Sequence, residues 1–194
     1  MTADEAFGHN RAFRTWLAAR EVPFVLATRS DDTLTCPDGR RHHAKNLIAL
    51  AGEGVWERRS AGPGAHGERF YDWAVIVLHP TAKNDALPAE WGHWLLVRRQ
   101  IGPAPGKDPE LAFYRCAGPV NTPVPELIRV AGARWAIEEC FQTAKNEAGL
   151  DHYQVRGYRA WYAHITLAML AAAYLAATRA QEAKKGDPRP VATR

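Results

Sequence analysis

Four β-rich segments occupy the middle of this 194-residue chain and constrain its fold more than any other feature. Loops rich in glycine and proline separate them, which is the pattern of consecutive antiparallel strands. The segments, all within residues 55–118, are VWERRSA, RFYDWAVIVLH, HWLLVRRQI and LAFYRCAG. Helical patterns flank this stretch on both sides, so the sequence predicts an α/β protein of the α+β type.

The N-terminal part of the chain predicts a helix followed by a buried strand. Apolar residues recur at helical spacing over residues 10–20, and Asn10 is suited to cap that helix. The apolar run 22–28 predicts the strand. A further strand ending near Asp4 would complete a β-α-β crossover. Residues 30–54 are polar and rich in turn signals, which predicts a loop.

The segment RVAGARWAIEECFQTAKNEAGLDHYQVRGY, residues 129–158, carries the most informative pattern of charges. Pro125 begins the predicted helix, with Thr122 as its cap, and Gly149 ends it. On a helical wheel Glu138 lies about 40° and Lys145 about 20° from Arg134, so these three share one narrow face. The neighbouring arc, expected to face the core, holds Val130, Ile137, Ala144 and Ala148.

These residues resemble the signature helix of DDE transposases of bacterial insertion sequences, of the cut-and-paste type. Those proteins carry Tyr-x-x-Arg-x-x-x-Glu-x-x-x-x-x-x-Lys, and Arg134, Glu138 and Lys145 match its last three charged positions. Ala131 occupies the position of the tyrosine. The run TADEAFG is similar to the context of the family's second catalytic aspartate, with Asp4 in that position. The resemblance covers residues 3–180.

The resemblance implies a two-metal site that cleaves DNA and transfers strands at the ends of an element. Mg²⁺ favours carboxylate oxygens, and two such ions about 4 Å apart activate the attacking hydroxyl and stabilise the leaving oxygen. Asp4 and Glu138 are then implied as catalytic metal ligands. Arg134, Lys145 and, beyond the helix, Arg156 are the implied DNA-binding residues, since guanidinium and ammonium groups hold phosphates.

The resemblance also implies how the chain is organised. Residues 1–54 would be a remnant of a partial ribonuclease-H-like core, 55–120 a β-rich insertion, 121–184 the two C-terminal helices of that core, and 185–194 a disordered tail. Only three residues precede Asp4, and no aspartate here matches the family's first catalytic position. We therefore expect the C-terminal part of a transposase that is inactive alone, either because the gene is a truncated relic or because its start codon was assigned too late.

DNA is the expected partner, as the terminal inverted repeats of an element and as its target. The formal net charge of +4 permits a polyanionic partner without requiring one. Two basic runs, RRHHAK and VRR at 97–99, are further candidates for contact with the DNA backbone. A second copy of the chain, or a full-length transposase, is the other expected partner.

Cysteine usage and hydropathy bear on where the chain works. Its three cysteines, Cys36, Cys116 and Cys140, are far apart and odd in number, which is typical of a reducing, cytoplasmic setting. A transposase there would associate with the nucleoid. The apolar stretch 165–178 is short for a membrane span and indicates a buried helix, so no membrane is expected.

Two other interpretations stay open. The chain could be a non-catalytic fragment that binds DNA, or that inhibits full-length transposase by pairing with it. It could also be an α+β protein in which Arg134, Glu138 and Lys145 form a solvated helix face with i,i+4 pairing. DNA binding, and its dependence on these side chains, distinguishes the interpretations.

Overall fold

A computed structural model of the chain describes residues 1–64, 67–79 and 87–186, and of residues 183–186 it describes only the backbone. The strands are β1 Thr2–Ala3, β2 Phe24–Thr28, β3 Thr33–Thr35, β4 Arg41–His43, β5 Glu57–Gly64, β6 Gly67–Val77, β7 Trp91–Arg99 and β8 Leu111–Pro119. The helices are α1 Glu5–Gly8, α2 Arg11–Ala19, α3 Ala44–Ala51, α4 Val124–Ala148 and α5 Tyr158–Gly186. The chain is thus a mixed α/β protein, as predicted, and it divides into two compact units, Met1–Ala136 and Ile137–Arg194.

A six-stranded sheet in the order β1-β2-β8-β7-β6-β5 forms the centre of the first unit. β1 pairs with β2 in parallel, and the other neighbouring strands of this sheet pair antiparallel. β3 and β4 form a separate two-stranded hairpin. The antiparallel pairing predicted for the β-rich segments is confirmed. The strand before Asp4, which was expected to need residues upstream of Met1, is present as β1, and α1 and α2 connect it to β2 in a β-α-β crossover.

Helices cover both faces of this sheet. Successive side chains of a strand point to opposite faces, so consecutive residues of the central strands are buried on one face or the other. On β7, Leu96 is buried in the cluster beneath the first half of α4, whereas Leu95 is buried in the cluster beneath α3. α2 packs Leu17 against Phe24 and Leu26 of β2. The two central strands β7 and β8 therefore hold the layers of the first unit together.

The cap predicted for α2 is present. The Asn10 side chain accepts a hydrogen bond from the backbone N–H of Phe13 at 3.1 Å, which satisfies one of the free donors of the first turn. The cap predicted for α4 is wrong, because the Thr122 hydroxyl donates to the Pro119 carbonyl at 2.6 Å instead. The first helical bonds of α4 end on the Pro123 carbonyl.

α4 approaches β5 so closely at Gly132 that no side chain fits between them. A Cβ on Gly132 would overlap the carbonyl oxygen of Ala61. Arg69 on β6 stabilises this contact, because its guanidinium donates hydrogen bonds to the backbone carbonyls of Ala61 at 3.0 Å and Gly132 at 3.2 Å. The same guanidinium lies 4.2 Å from the centre of the Trp135 ring. The rotation of α4 about its axis is fixed where the charged motif begins.

The segment predicted to be a loop, residues 30–54, contains more structure than its composition indicated. It forms the β3–β4 hairpin and α3, whose Leu47 and Ile48 are buried against the sheet. The boundaries expected at 54 and 120 both fall inside the first unit, and β8 pairs with β2. Of the tail expected over 185–194, residues 187–194 lie outside the described residues, and 185–186 end α5.

The second unit contains the end of α4, an exposed segment and α5. Arg179 on α5 donates to the Glu147 carboxylate, and His164 Nε2 lies 3.0 Å from the Gly149 carbonyl oxygen. The burial predicted for the apolar stretch 165–178 is wrong, since Leu167 and Leu170 are each 65% exposed. By length and composition the stretch Tyr158–Glu182 could cross a membrane, with a mean hydropathy of 1.4 and 6% of the apolar window buried.

We predict that Gly132→Ala destabilises the first unit. Alanine favours a helix over glycine by about 1 kcal/mol, but a methyl group here meets backbone, which cannot move aside cheaply. The clash outweighs the propensity gain, and the free energy of unfolding should fall by about 2 kcal/mol. Gly54→Ala is the control, because a Cβ there meets nothing within 4 Å. Urea denaturation measures both, and equal stability of the two variants would contradict the close contact.

Candidate nucleic-acid interface

The three charged residues of the motif all lie on α4, as predicted. Arg134 is half-buried at the end of the first unit, whereas Glu138 and Lys145 are exposed in the second. Their spacing on one continuous helix gives them a common side, with successive offsets of about 40° and 20°. Ile137, expected to be buried on the neighbouring arc, is 55% exposed, so that part of the wheel prediction is wrong.

Arg134 lies close to the sheet in the first unit. Burial raises the pKa of the Tyr114 hydroxyl, and the positive charges of Arg98 and Arg134 act in the opposite direction. Tyr114 belongs to the cluster beneath α4. The guanidinium of Arg134 therefore lies between the apolar core of the first unit and solvent.

Ala131, in the position of the family's tyrosine, is a core residue in this chain. It is 4% exposed and packs with Leu127 and Ile128 against the sheet. It also precedes Gly132, where the helix touches β5. A larger side chain at position 131 would have to displace these packed neighbours.

Asp4 directly follows β1, the position expected from the resemblance. Its Oδ1 accepts hydrogen bonds from the backbone N–H groups of Ala6 at 3.1 Å and Phe7 at 3.4 Å, so it caps α1. Its Oδ2 accepts none from the part of the chain that the structure describes. α1 packs tightly on β2, because a Cβ on Gly8 would overlap the Ala27 carbonyl. The Asp4 carboxylate is exposed, and the helix that it caps is packed against β2.

Arg156 lies in the exposed segment between α4 and α5. Gly149 ends α4 with a φ of 62°, a conformation that favours glycine, and the Leu150 N–H returns to the Ala144 carbonyl at 3.1 Å. Arg156 thus follows a well-formed helix end within the unit that holds Glu138 and Lys145.

In donor chemistry, Asp4 and Glu138 fit Mg²⁺, because both present exposed carboxylate oxygens. They belong to different compact units. Among residues 1–64, 67–79 and 87–186, no group of three or more His, Cys, Asp or Glu side chains is placed to hold a metal ion. The two carboxylates are candidate ligands in separate units, and no complete metal centre is assembled from the described side chains.

The basic run VRR is engaged within the fold. Arg99 donates to Glu53 at 2.8 Å, lies 3.5 Å from Asp72, and stacks 4.2 Å from the Trp56 ring centre. Arg98 lies 4.6 Å from the centre of the Tyr71 ring. These arginines stabilise β6 and β7, so the run is a weaker candidate for DNA contact than its composition indicated.

A hydrogen-bonded carboxylate after β2 was not among the residues that the sequence singled out. Asp32 accepts from the Thr28 hydroxyl, and its Oδ1 lies 2.9 Å from His9 Nδ1. Burial alone would raise the pKa of Asp32, but these two hydrogen bonds and the charge of Arg115 lower it below its usual value of 3.8. A signal existed in the sequence, because Arg115 is a charged residue inside the apolar strand LAFYRCAG.

Comparisons with known proteins add no family assignment: no protein-family model matches the sequence, and no curated protein matches it significantly.

We predict that Asp32→Asn lowers the free energy of unfolding at pH 7 by about 2 kcal/mol, because hydrogen bonds to a charged group are lost. The folded-state pKa of Asp32 lies below 3.8, so its contribution is present above pH 3.8 and is lost as the pH falls through the folded pKa. The stability difference from the unmodified chain should therefore shrink in acid. Asp31→Asn, at a more exposed carboxylate, is the control and should cost less. A difference that is constant with pH would contradict this role.

Proposed function

We propose that this chain is part of the catalytic domain of a DDE transposase, which cuts DNA at the ends of an insertion sequence and joins the 3′ ends to a target. The observation that carries the proposal is the placement of Arg134, Glu138 and Lys145 on one helix at the family spacing. A carboxylate between two cations suits a metal-bound phosphate, with the acid toward the metal and the bases toward the phosphate oxygens.

The topology of the first unit supports a ribonuclease-H-like core as part of this proposal. β1 and β2 are parallel and joined through α1 and α2, and Asp4 stands at the end of β1. Side chains at the carboxyl ends of parallel strands are common positions for functional groups in α/β folds. The strands of the β-rich segment then lie between this crossover and α4 in the chain, as the resemblance implies.

Each residue has a distinct role in the proposed chemistry. Asp4 and Glu138 would hold Mg²⁺, which when bound supplies Lewis acidity to the phosphodiester and its attacking group. Arg134 would hold a phosphate through its planar fork, and Lys145 as a point charge. Arg156 would extend the contact along the DNA backbone. We propose a cytoplasmic, nucleoid-associated location, and pairing with a second copy or a full-length transposase stays a prediction.

The first test is DNA binding by the purified chain. We expect salt-sensitive binding to duplexes that contain the inverted repeats flanking its gene, measured by fluorescence anisotropy. Arg134→Gln and Lys145→Gln should each weaken binding by about three- to tenfold at low salt and reduce the salt slope by about 1, because each removes one phosphate contact.

Arg129→Gln is the matched control. Arg129 is also an exposed cation of α4, but it pairs with Glu126 at 2.6 Å and lies about 140° from Arg134 around the helix. If DNA affinity falls equally in all three variants, the loss reflects the lower net charge of the chain and not specific contacts of Arg134 and Lys145. No DNA binding at low salt would favour the α+β protein with a solvated helix face and overturn the proposal.

A second prediction concerns cleavage. Only two of the family's three carboxylates have counterparts in this sequence, Asp4 and Glu138, so we expect the isolated chain to bind DNA without Mg²⁺-dependent cleavage. A nicking assay on the same duplexes measures this. Cleavage that Glu138→Gln abolishes and Glu139→Gln leaves intact would show that the chain assembles a complete site. Binding without cleavage also fits an inhibitory fragment, which mixing with an active transposase would reveal.

A further inference from the structure

A cavity of about 430 Å³ in the first unit is lined mainly by cationic side chains. It lies where α2, the segment after β2, the β3–β4 hairpin and β8 come together. Five arginines contribute to its wall: Arg11, Arg14, Arg29, Arg41 and Arg115. None of the residues of the α4 motif belongs to it, and neither does Asp4.

The charge in the cavity favours an anionic ligand. Among the described residues of its lining, five guanidinium groups face two carboxylates, those of Asp31 and Asp32. Both carboxylates are already engaged in the wall, because Asp31 accepts from Arg29 at 3.1 Å and Asp32 accepts from Thr28. The excess of three positive charges in a partly enclosed space creates a positive potential there, which attracts small anions into the cavity.

Two of the arginines are buried and held in place by the fold. Arg14 and Arg115 are 5% and 6% exposed. Arg14 donates to the Gly8 carbonyl at 2.7 Å, and Arg115 donates to the Thr33 carbonyl at 3.3 Å. A guanidinium fixed by such bonds is pre-organised, so less conformational entropy is lost when it binds a ligand.

At the rim of the cavity, Arg41 differs from the buried arginines and from Arg29, which pairs with Asp31. Arg41 begins β4 and is exposed, and among the described residues no carboxylate or carbonyl pairs with its side chain. All five cations of the described lining are arginine rather than lysine. Planar guanidinium forks match the oxygens of a tetrahedral oxyanion, and the volume is large enough for a nucleotide-sized group.

We propose that this cavity binds a phosphate group, a chemistry shared by inorganic phosphate, a mononucleotide and the backbone of a DNA strand. Arg14 and Arg115 form the fixed base of the site, and the exposed Arg29 and Arg41 line its rim. This inference does not rest on the proposed function, because it involves none of the residues assigned to that function.

Isothermal titration with sodium phosphate at constant ionic strength, with chloride as the comparison salt, tests the site. We expect saturable phosphate binding, weakened about tenfold by Arg41→Gln. Arg40→Gln is the matched control, because Arg40 directly precedes Arg41, is exposed, pairs with Asp38 at 3.2 Å, and is not among the lining residues of the cavity. It should bind phosphate within about twofold of the unmodified chain. Neither variant removes a buried group, so both should fold.

Competition then identifies the source of the phosphate. Displacement of phosphate by a mononucleotide alone supports a small phosphorylated ligand, and displacement by duplex DNA supports the nucleic-acid backbone. The absence of saturable binding beyond that of chloride overturns the proposal, as does an equal loss in Arg40→Gln and Arg41→Gln. Glu138→Gln and Lys145→Gln should keep phosphate binding, so failure of the proposed transposase function would be separable from failure of this site.

Discussion

The contact between α4 and β5 at Gly132 is the constraint on which the rest of the first unit depends. Backbone meets backbone there, so the helix can approach the sheet only where a side chain is absent. Arg69 then joins β5, β6 and α4 through two carbonyl bonds and the Trp135 ring. This contact sets which side of the helix is buried through Ala131 and Ile128. The half-buried position of Arg134, two residues after Gly132, follows from this packing.

The elements with strong local patterns could be predicted from the sequence. The strands β6 to β8 are rich in β-branched and aromatic residues, Gly/Pro loops separate the strands β5 to β8, and Asn10 marked the start of α2. α3 could not be predicted, because its eight residues are too few for a clear helical period and it gains stability from packing Leu47 and Ile48 on the sheet. Its N-terminus also lacks a side-chain cap.

Burial was harder to predict than secondary structure. Ile137 on α4, and Leu167 and Leu170 on α5, were expected to be buried, and all three are exposed. Composition shows that a helix face is apolar, but whether it is covered depends on which elements reach it, and this is a tertiary property. The same limit applies to the site. The helix spacing of the motif is local and could be predicted, whereas the cavity combines Arg14, Arg29, Arg41 and Arg115 from four distant segments.

Arginine pairing, more than arginine density, determines where this chain can attract an anion. The basic strand ends are neutralised in place, since Arg58 pairs with Asp72, Arg59 with Glu57 and Arg99 with Glu53. Such exposed pairs add little stability, but they remove the positive potential that a run such as VRR indicates. Among the described residues that line the cavity, five arginines outnumber two carboxylates, and Arg14 and Arg115 each donate to a backbone carbonyl. An anion that approaches the cavity therefore meets a positive potential that the fold assembles from arginines of separate segments, of which only Arg41 belongs to a basic run of the sequence.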